Sequence, residues 1–303
     1  MALPANQRKV SFRAKTESKC PVCGTMHAKE ELMSGSGRLI AGNLTGELRR
    51  LYEPSKKWGK IYPLAYAVQV CPKCLYAAYP KDFSNANAEE VKGLKATIQH
   101  RQKLIQTLFG ALNFNEDRQL VLGVASFLLA VDCYHLRSAE IAPTIKKAVS
   151  CMRAAWLLDD LFQDAPYRPY DKVKDFYYME ASKAYRATVE ASGTSDAEPD
   201  AEAVGFASGP DLDKNFGFIG IQFLYGLLTH KYIDQLAPEK NKVRLKVLTD
   251  AKRAISKVYG GGKATKEKPQ AMIDIAKDAH DAMGEMIGEL EAELNPAPEA
   301  AAT

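Results

Sequence analysis

The sequence lacks the long apolar runs and the catalytic motifs by which many proteins are classified. No apolar stretch approaches the roughly 18 residues of a membrane-spanning helix, because the longest, 216–228, is interrupted by three glycines and Gln222. No Walker A motif, G-x-G-x-x-G after a strand, G-x-S-x-G or H-E-x-x-H occurs. These absences argue against a familiar enzyme and leave an enzyme with an unrecognised site as the catalytic alternative.

The N-terminal residues lack the apolar segment of a signal peptide, since none follows the charges within 1–13. We therefore expect a cytoplasmic protein without membrane insertion, in a compartment where structural disulfides are rare. The composition, 46% hydrophobic and 26% charged, is normal for a globular protein. A chain of 303 residues suffices for one large or two ordinary domains.

Cysteine is scarce, with six residues, yet four of them form two matched Cys-Pro-x-Cys pairs. Four thiolates are the number that a closed tetrahedral zinc site requires. Gly24 follows the first pair and can take the positive φ of a tight turn, whereas Leu75 stands at that place after the second pair. Cys133 and Cys151 lie among apolar residues and are predicted core thiols. The sequence predicts one structural zinc ion bound by Cys20, Cys23, Cys71 and Cys74.

Other uses of the four cysteines stay open at this point. Iron in a rubredoxin-like site is the alternative metal, because a four-sulfur tetrahedron suits both ions. A thioredoxin-like redox pair needs a single Cys-x-x-Cys in a βαβ context, and a catalytic zinc keeps an open position with three protein ligands. His27 lies close to Cys23 and could replace a ligand, although the pattern favours a surface histidine.

Charge is unevenly divided along the chain. Residues 1–83 carry a net charge of +8 and the remainder −4, for a total of +4. A basic ribbon of this kind predicts either solubility alone or an anionic partner such as nucleic acid. In the second case Trp58 could stack on a base, and phosphate contacts would come from basic residues around it. The candidates are Arg13, Lys15, Arg49, Arg50, Lys56, Lys57 and Lys60.

Patterning divides the chain into a small N-terminal part and a helical part. We predict a flexible basic arm over 1–15, a zinc ribbon with short strands over 16–85, a helical domain over 86–295 and a disordered tail over 296–303. Within the ribbon, alternation predicts a strand over 66–70. Residues 34–50 read as loop, with a short helix at 46–52. The acidic, Ala/Ser/Gly-rich stretch 192–213 predicts a disordered linker.

Apolar residues at helical spacing fill the second part of the chain, which makes the fold mainly α. Ala148, Met152 and Ala155 have the small–large–small spacing of a tetratricopeptide repeat, but no strict 34-residue period occurs. A tetratricopeptide-like set of helical hairpins and an irregular bundle therefore both remain. The last helix carries an Ala/Met-rich seam that predicts a cap for the array or a self-association surface. Helices are predicted over 88–109, 117–136, 143–163, 170–191, 214–236, 240–259 and 268–294.

Two further clusters favour structural interpretations. Asp159 and Asp160 with His135 could form a metal or acid–base site, but adjacent carboxylates at a helix end usually face solvent. The aromatic residues of 176–178, with Tyr167 and Tyr170, could bind a peptide or a base, although helical spacing favours packing.

The N-terminal motifs resemble a bacterial family, domain of unknown function 2225. The resemblance rests on Cys20-Pro-Val-Cys23-Gly, the basic insert with Arg49 and Arg50, and the stretch from Tyr62-Pro63 through Cys71-Pro-Lys-Cys74 to Phe83. It implies a Cys-Pro-x-Cys ribbon ahead of tetratricopeptide-like helices and metal binding by the four cysteines. The sequence departs from the family pattern at Leu75, where glycine is usual.

These observations predict a non-catalytic zinc-binding adaptor or scaffold. The ribbon would hold its insert in place, and the helical domain would bind a protein partner. Nucleic-acid binding through the basic ribbon is the first alternative, and an enzyme with an unrecognised site is the second. The sequence does not specify the oligomeric state.

Overall fold

The fold is mainly α, with short antiparallel strands at the N-terminal end, as the sequence predicts. The computed structural model describes residues 9–260 and 263–295. The strands are β1 Ser11–Lys19, β2 Met26–Leu32, β3 Ile40–Leu44, β4 Arg50–Glu53, β5 Gln69–Val70 and β6 Ala77–Ala78. The helices are α1 Pro80–Phe83, α2 Ala88–Ala96, α3 Ile98–Phe109, α4 Leu120–Tyr134, α5 Pro143–Asp164, α6 Tyr170–Ala191, α7 Gly217–Lys231, α8 Ile233–Leu236, α9 Lys242–Tyr259 and α10 Gln270–Leu294.

The strands pair as three two-stranded antiparallel hairpins. β1 pairs with β2, β3 with β4, and β5 with β6. The first Cys-Pro-x-Cys segment forms the turn between β1 and β2, and the second forms the turn between β5 and β6. The middle hairpin, β3–β4, belongs to the insert that separates the two cysteine pairs.

Three local predictions in this region differ from the structure. We predicted a loop over 34–50 and a short helix over 46–52. The structure instead has β3 within the predicted loop, and β4 where the predicted helix would end. The strand predicted over 66–70 is a 3-10 turn over Pro63–Tyr66 followed by the two-residue β5. β1 begins at Ser11, inside the segment predicted as a flexible arm, while residues 1–8 lie outside the described residues. These segments form strands because they pair with another strand. Such pairing joins residues distant in the chain, so the pattern of a short polar stretch does not reveal it.

The helices follow the predicted segments with small adjustments at their ends. The predicted helix 88–109 is divided at Thr97 into α2 and α3, and the predicted helix 214–236 is divided at Tyr232 into α7 and α8. Asn87 and Glu90 form a reciprocal capping box at the start of α2. Pro143 is the first residue of α5. Proline is favoured there because the backbone nitrogen at this position has no acceptor within the helix.

Buried side chains of the ribbon and of the helices form one continuous apolar cluster. Tyr76 and Phe83, which follow the second cysteine pair, are fully buried in it. Gly123 on α4 allows the 3-10 turn to approach closely, because a Cβ there would lie 2.6 Å from the Cβ of Ala65. The predicted division into ribbon 16–85 and helical domain 86–295 stays a prediction about independent folding, but the two parts share their core.

Successive helices pack against their neighbours along the chain. α4 packs on α5, α5 on α6, α6 on α7, α7 on α9 and α9 on α10. The seam predicted on the last helix faces inward, since Met272, Ala276, Ala279, Met283 and Leu290 are buried. The buried face of α10 therefore packs against α9 and α7 of the same chain, as expected for a helix that caps the array. The tail predicted as disordered, 296–303, lies outside the described residues.

The segment 192–213 has no helix or strand, yet it packs on the helices where its composition predicted a disordered linker. Phe206 and Asp211 are buried. Glu198 accepts hydrogen bonds from the backbone nitrogen and hydroxyl of Thr144 at the start of α5. A single aromatic side chain and a few polar contacts thus fix a stretch whose average composition is that of a linker.

Among the described residues, no helix combines the length and the apolar character needed to cross a bilayer.

Candidate metal centre

The two Cys-Pro-x-Cys turns have the same backbone hydrogen bonds. In the first, the Gly24 nitrogen donates to the Cys20 carbonyl at 2.9 Å and the Cys20 nitrogen donates to the Thr25 carbonyl at 2.9 Å. In the second, the Leu75 nitrogen donates to the Cys71 carbonyl at 3.0 Å and the Cys71 nitrogen donates to the Tyr76 carbonyl at 2.9 Å. Each turn therefore presents two sulfur atoms in the same way.

The structure brings the four predicted cysteines together. Their Sγ atoms all lie within 4.8 Å of one another. The Cys20 and Cys74 sulfurs are 3.6 Å apart, and the Cys23 and Cys71 sulfurs are 3.5 Å apart. A tetrahedral ion with metal–sulfur bonds of about 2.3 Å needs sulfur atoms roughly 3.8 Å apart. The arrangement therefore fits a metal ion bound by four sulfurs, and both zinc and iron accept this geometry.

The four sulfurs lie close enough to interact with one another. Interaction between the Cys20 and Cys71 thiols lowers the pKa of Cys71 and raises the pKa of Cys20 to about 12. The hydrogen bond with Cys20 also raises the pKa of Cys74. Since metal ligation requires thiolates, binding of an ion at this centre releases protons.

Residues outside the cysteine pairs support the turns. The Cys23 sulfur lies 3.2 Å from the Thr25 hydroxyl. Arg101 of α3 is fully buried and donates to the Cys74 carbonyl at 3.4 Å and to the Leu94 carbonyl at 2.7 Å. On the other side, the Ala77 nitrogen donates to the Cys133 sulfur of α4 at 3.4 Å. Sequence reasoning missed Arg101, because its role depends on the packing of α3 beside the second turn.

Histidine 27 is a buried residue of β2 and not the surface residue that the sequence favoured. Its ring lies 3.3 Å from the Gln69 amide nitrogen and packs edge-on against Phe83, with centroids 5.3 Å apart. Among the described residues, the four cysteines lie within metal-binding distance of one another, and His27 does not belong to this group. The buried thiols Cys133 and Cys151 are also outside this group, and burial raises the pKa of Cys133 to about 12.

The insert between the cysteine pairs is attached to the helices at its β3–β4 turn. The Glu47 carboxylate accepts hydrogen bonds from Trp156 Nε1 at 2.9 Å, the Tyr178 hydroxyl at 2.6 Å and Lys231 Nζ at 2.8 Å. The neighbouring Leu48 is buried. One carboxylate thus connects the insert to α5, α6 and α7.

Among the eight residues predicted for nucleic-acid contact, Arg49, Arg50 and Lys60 are engaged in internal ion pairs. Arg49 pairs with Asp160 and also donates to the Trp156 carbonyl at 3.0 Å. Lys60 lies 3.2 Å from the same carboxylate, and Arg50 lies 2.8 Å from Asp213. Asp160 is accordingly buried and paired with the insert, in contrast to the solvent-facing corner that the sequence favoured.

Of the other five residues, Arg13 and Lys15 lie on β1, and Lys56, Lys57 and Trp58 lie in the insert after β4. Lys15, Lys56 and Lys57 are exposed. Trp58 is half-buried, with the Arg38 guanidinium 4.2 Å and the Lys57 ammonium 4.9 Å from its ring centroid. Arg13 is likewise engaged, since it donates to the Asn115 carbonyl at 2.9 Å. The structure therefore divides the predicted basic surface into a paired half and an exposed half.

Comparison with known proteins identifies relatives but no solved structure. A family model described as "Uncharacterized protein conserved in bacteria (DUF2225)" matches residues 14–283. An uncharacterized protein of Borreliella burgdorferi is 36% identical over 274 residues, which cover 90% of this chain and 96% of the relative. No solved structure matches. The match spans both cysteine pairs and nearly all the helices, and the chain belongs to the DUF2225 family.

Proposed function

We propose that the protein binds one structural zinc ion through Cys20, Cys23, Cys71 and Cys74 and acts as a non-catalytic adaptor. The observation that carries the metal assignment is the convergence of four sulfurs within 4.8 Å on two matched hairpin turns. Four protein ligands complete a tetrahedral shell and leave no open position for a substrate. A closed site of this kind stabilises structure.

The role of the metal in this proposal is to fix the ends of the insert. The cysteine pairs flank the insert in the chain, and Glu47 and Arg49 attach its middle hairpin to the helices. With the ion bound, both ends of the insert are held at one point.

The proposed partner is a protein that contacts the start of α6 and the loop before it. Tyr167 is 82% exposed and Phe176 is 50% exposed, whereas the neighbouring Tyr170, Tyr177 and Tyr178 are buried. Exposed aromatic side chains are enriched at protein–protein interfaces. These two residues are the candidate anchors of the interaction.

A site-specific crosslink tests the adaptor proposal. A photoreactive amino acid placed at position 176 in the full-length protein is expected to capture one protein in its native host, and Tyr167→Ala is expected to weaken that capture. The same amino acid at the exposed position Lys103 serves as the control. Capture of the same protein from both positions, or capture that Tyr167→Ala leaves unchanged, would contradict a specific surface.

Nucleic-acid binding is the less supported alternative, because Arg49, Arg50 and Lys60 already neutralise carboxylates within the chain. A titration with mixed nucleic acid over a series of salt concentrations separates the two proposals. Phosphate contacts give a steep dependence of affinity on salt, and Lys56→Ala with Lys57→Ala would reduce it. The adaptor proposal expects no such saturable binding.

A further inference from the structure

A cavity of about 350 Å³ lies between the end of the ribbon and α5, beneath the segment 204–212. Its wall includes Tyr79 and Asp82 from the residues after the second cysteine turn, and Lys146 and Arg153 from α5. The segment above it contributes apolar surface. These apolar residues are Val204, Phe206 and Leu212.

Two cationic side chains in the wall are buried and a third stands at the rim. Lys146 is 1% exposed and Arg153 is 3% exposed. Lys81 is exposed and has no hydrogen-bond or ion-pair partner for its ammonium among the described residues. A small cavity thus collects three cations.

The two buried cations differ in how their charge is compensated. Lys146 Nζ lies 2.7 Å from the Asp82 carboxylate, which also accepts a hydrogen bond from the Tyr134 hydroxyl at 2.6 Å. Arg153 donates to the Pro210 carbonyl at 2.7 Å and to the Tyr79 hydroxyl at 3.3 Å. Within residues 9–260 and 263–295, no carboxylate lies within 4.0 Å of the Arg153 guanidinium. The charge of a buried cation that no carboxylate contacts directly can be compensated further by a bound anion.

Asp211, the second carboxylate in the wall, is engaged elsewhere. Its oxygens accept hydrogen bonds from the Arg50 nitrogen at 2.7 Å and from the Leu212 nitrogen at 2.6 Å. Burial raises the pKa of Asp211 above its ordinary value. Its hydrogen bonds stabilise the covering segment, and its carboxylate acts on Arg153 through its charge without contacting the guanidinium directly.

We propose that this cavity binds a small organic anion, with the oxyanion group at Arg153 and the apolar part against Phe206 and Val204. A carboxylate and a phosphate share the required chemistry, because each can accept two hydrogen bonds from a guanidinium with two of its oxygens. Lys81, an exposed lysine that also lines the cavity, adds a positive charge that attracts the anion. The site is separate from the four cysteines and does not depend on the adaptor role.

Binding to the full-length, metal-loaded protein is measured by titration calorimetry with phenyl phosphate and with benzoate. Benzamide, which is uncharged and of similar shape to benzoate, is the ligand control. We expect saturable binding of at least one anion and none of benzamide. The preferred anion identifies the headgroup as phosphate or carboxylate, and either preference supports the proposal.

Two variants with matched controls locate the site. Arg153→Met keeps an unbranched side chain without charge and is expected to weaken the anion at least about tenfold, a loss in the range of one charge-assisted hydrogen bond. Lys81→Glu, at an exposed position, is expected to weaken it also and decides the question if Arg153→Met fails to fold. Arg168→Met and Lys103→Glu make the same changes at exposed positions elsewhere and should leave binding unchanged.

Three results would overturn the proposal. One is the absence of saturable binding of both anions by the unaltered protein. Another is equal affinity for benzoate and benzamide. The third is anion binding that the folded variants at positions 153 and 81 retain in full, or that the control variants lose to the same extent.

Discussion

Leu75 adopts in the second cysteine turn the left-handed backbone conformation that Gly24 adopts in the first. Their φ angles are 57° and 75°, and each donates its backbone nitrogen to the carbonyl of the first cysteine of its pair. A residue with a side chain pays about 1–2 kcal/mol for this conformation. The side chain of Leu75 is 9% exposed, so its burial offsets the backbone cost. Leucine at this position therefore preserves the turn.

Substitutions at these two positions should separate backbone strain from side-chain burial. Leu75→Gly relieves the strain but loses about 2 kcal/mol of apolar burial, so we expect a net loss of about 1 kcal/mol in the free energy of unfolding. Gly24→Ala should lose about 1 kcal/mol from strain alone, because nothing lies within 4 Å of the added Cβ. Both variants should keep their metal content. Urea denaturation checks the values, and a more stable Leu75→Gly protein would show that Leu75 adds nothing by packing.

The connection made by Glu47 predicts a destabilised Glu47→Ala variant. Removing the carboxylate leaves the Trp156 and Tyr178 donors without their partner, and an unsatisfied buried donor costs about 1–3 kcal/mol. We expect a loss of at least about 2 kcal/mol, together with a shifted Trp156 fluorescence maximum. Glu89→Ala, at a side chain that is 85% exposed, is the control and should change neither quantity. Equal stability of the two variants would mean that the insert is not held at this turn.

Buried tyrosines predict a loss of stability at alkaline pH. Burial raises the pKa of Tyr134, Tyr178 and Tyr185 above 10.0. In the unfolded chain these groups ionise near pH 10, so the folded state keeps protons that the unfolded state loses. Their contribution is fully present below about pH 10 and declines as the pH rises above it.

Tyr185→Phe isolates one part of this effect. The Tyr185 hydroxyl is buried and has no hydrogen-bond partner among residues 9–260 and 263–295, so its removal should cost little at neutral pH. Above about pH 10, the free energy of unfolding of this variant should fall by up to about 1.4 kcal/mol less per pH unit than that of the unaltered protein. Tyr167→Phe replaces an exposed tyrosine and should leave the slope unchanged. Identical slopes for all three proteins would contradict the assignment.

Sequence patterns predicted the elements that depend on local periodicity and missed those that depend on distant contacts. The α6 helix has its predicted ends, Tyr170 and Ala191, because its apolar residues repeat at helical spacing along the whole segment. The β3–β4 hairpin was missed because its order comes from pairs such as Ile40 with Glu53 and from Glu47 on the helices. The cysteine cluster was predictable because ligand spacing is local within each pair. Arg101 and the Arg153 cavity were not, since tertiary packing alone assembles them.

Loss of one ligand should weaken the ribbon and spare most of the helices. Cys71→Ser removes a thiolate from the metal centre, and structural metal contributes directly to folding energy. We expect a lower melting temperature and reduced metal content, with most of the helical circular dichroism signal retained, because α4 to α10 pack extensively on one another as well as on the ribbon. Cys151→Ala removes a core thiol outside the cluster and should keep the full metal content. Global loss of helix in Cys71→Ser would show that the ribbon and the helices fold as one unit.

X-ray absorption at the metal edge, combined with elemental analysis of the purified protein, tests zinc binding by the four cysteines. We expect one zinc ion per chain in a shell of four sulfur atoms at about 2.3 Å, and a colourless protein. A shell containing nitrogen or oxygen ligands, iron in place of zinc, or a metal-free protein with disulfides between Cys20 and Cys23 and between Cys71 and Cys74 would contradict it.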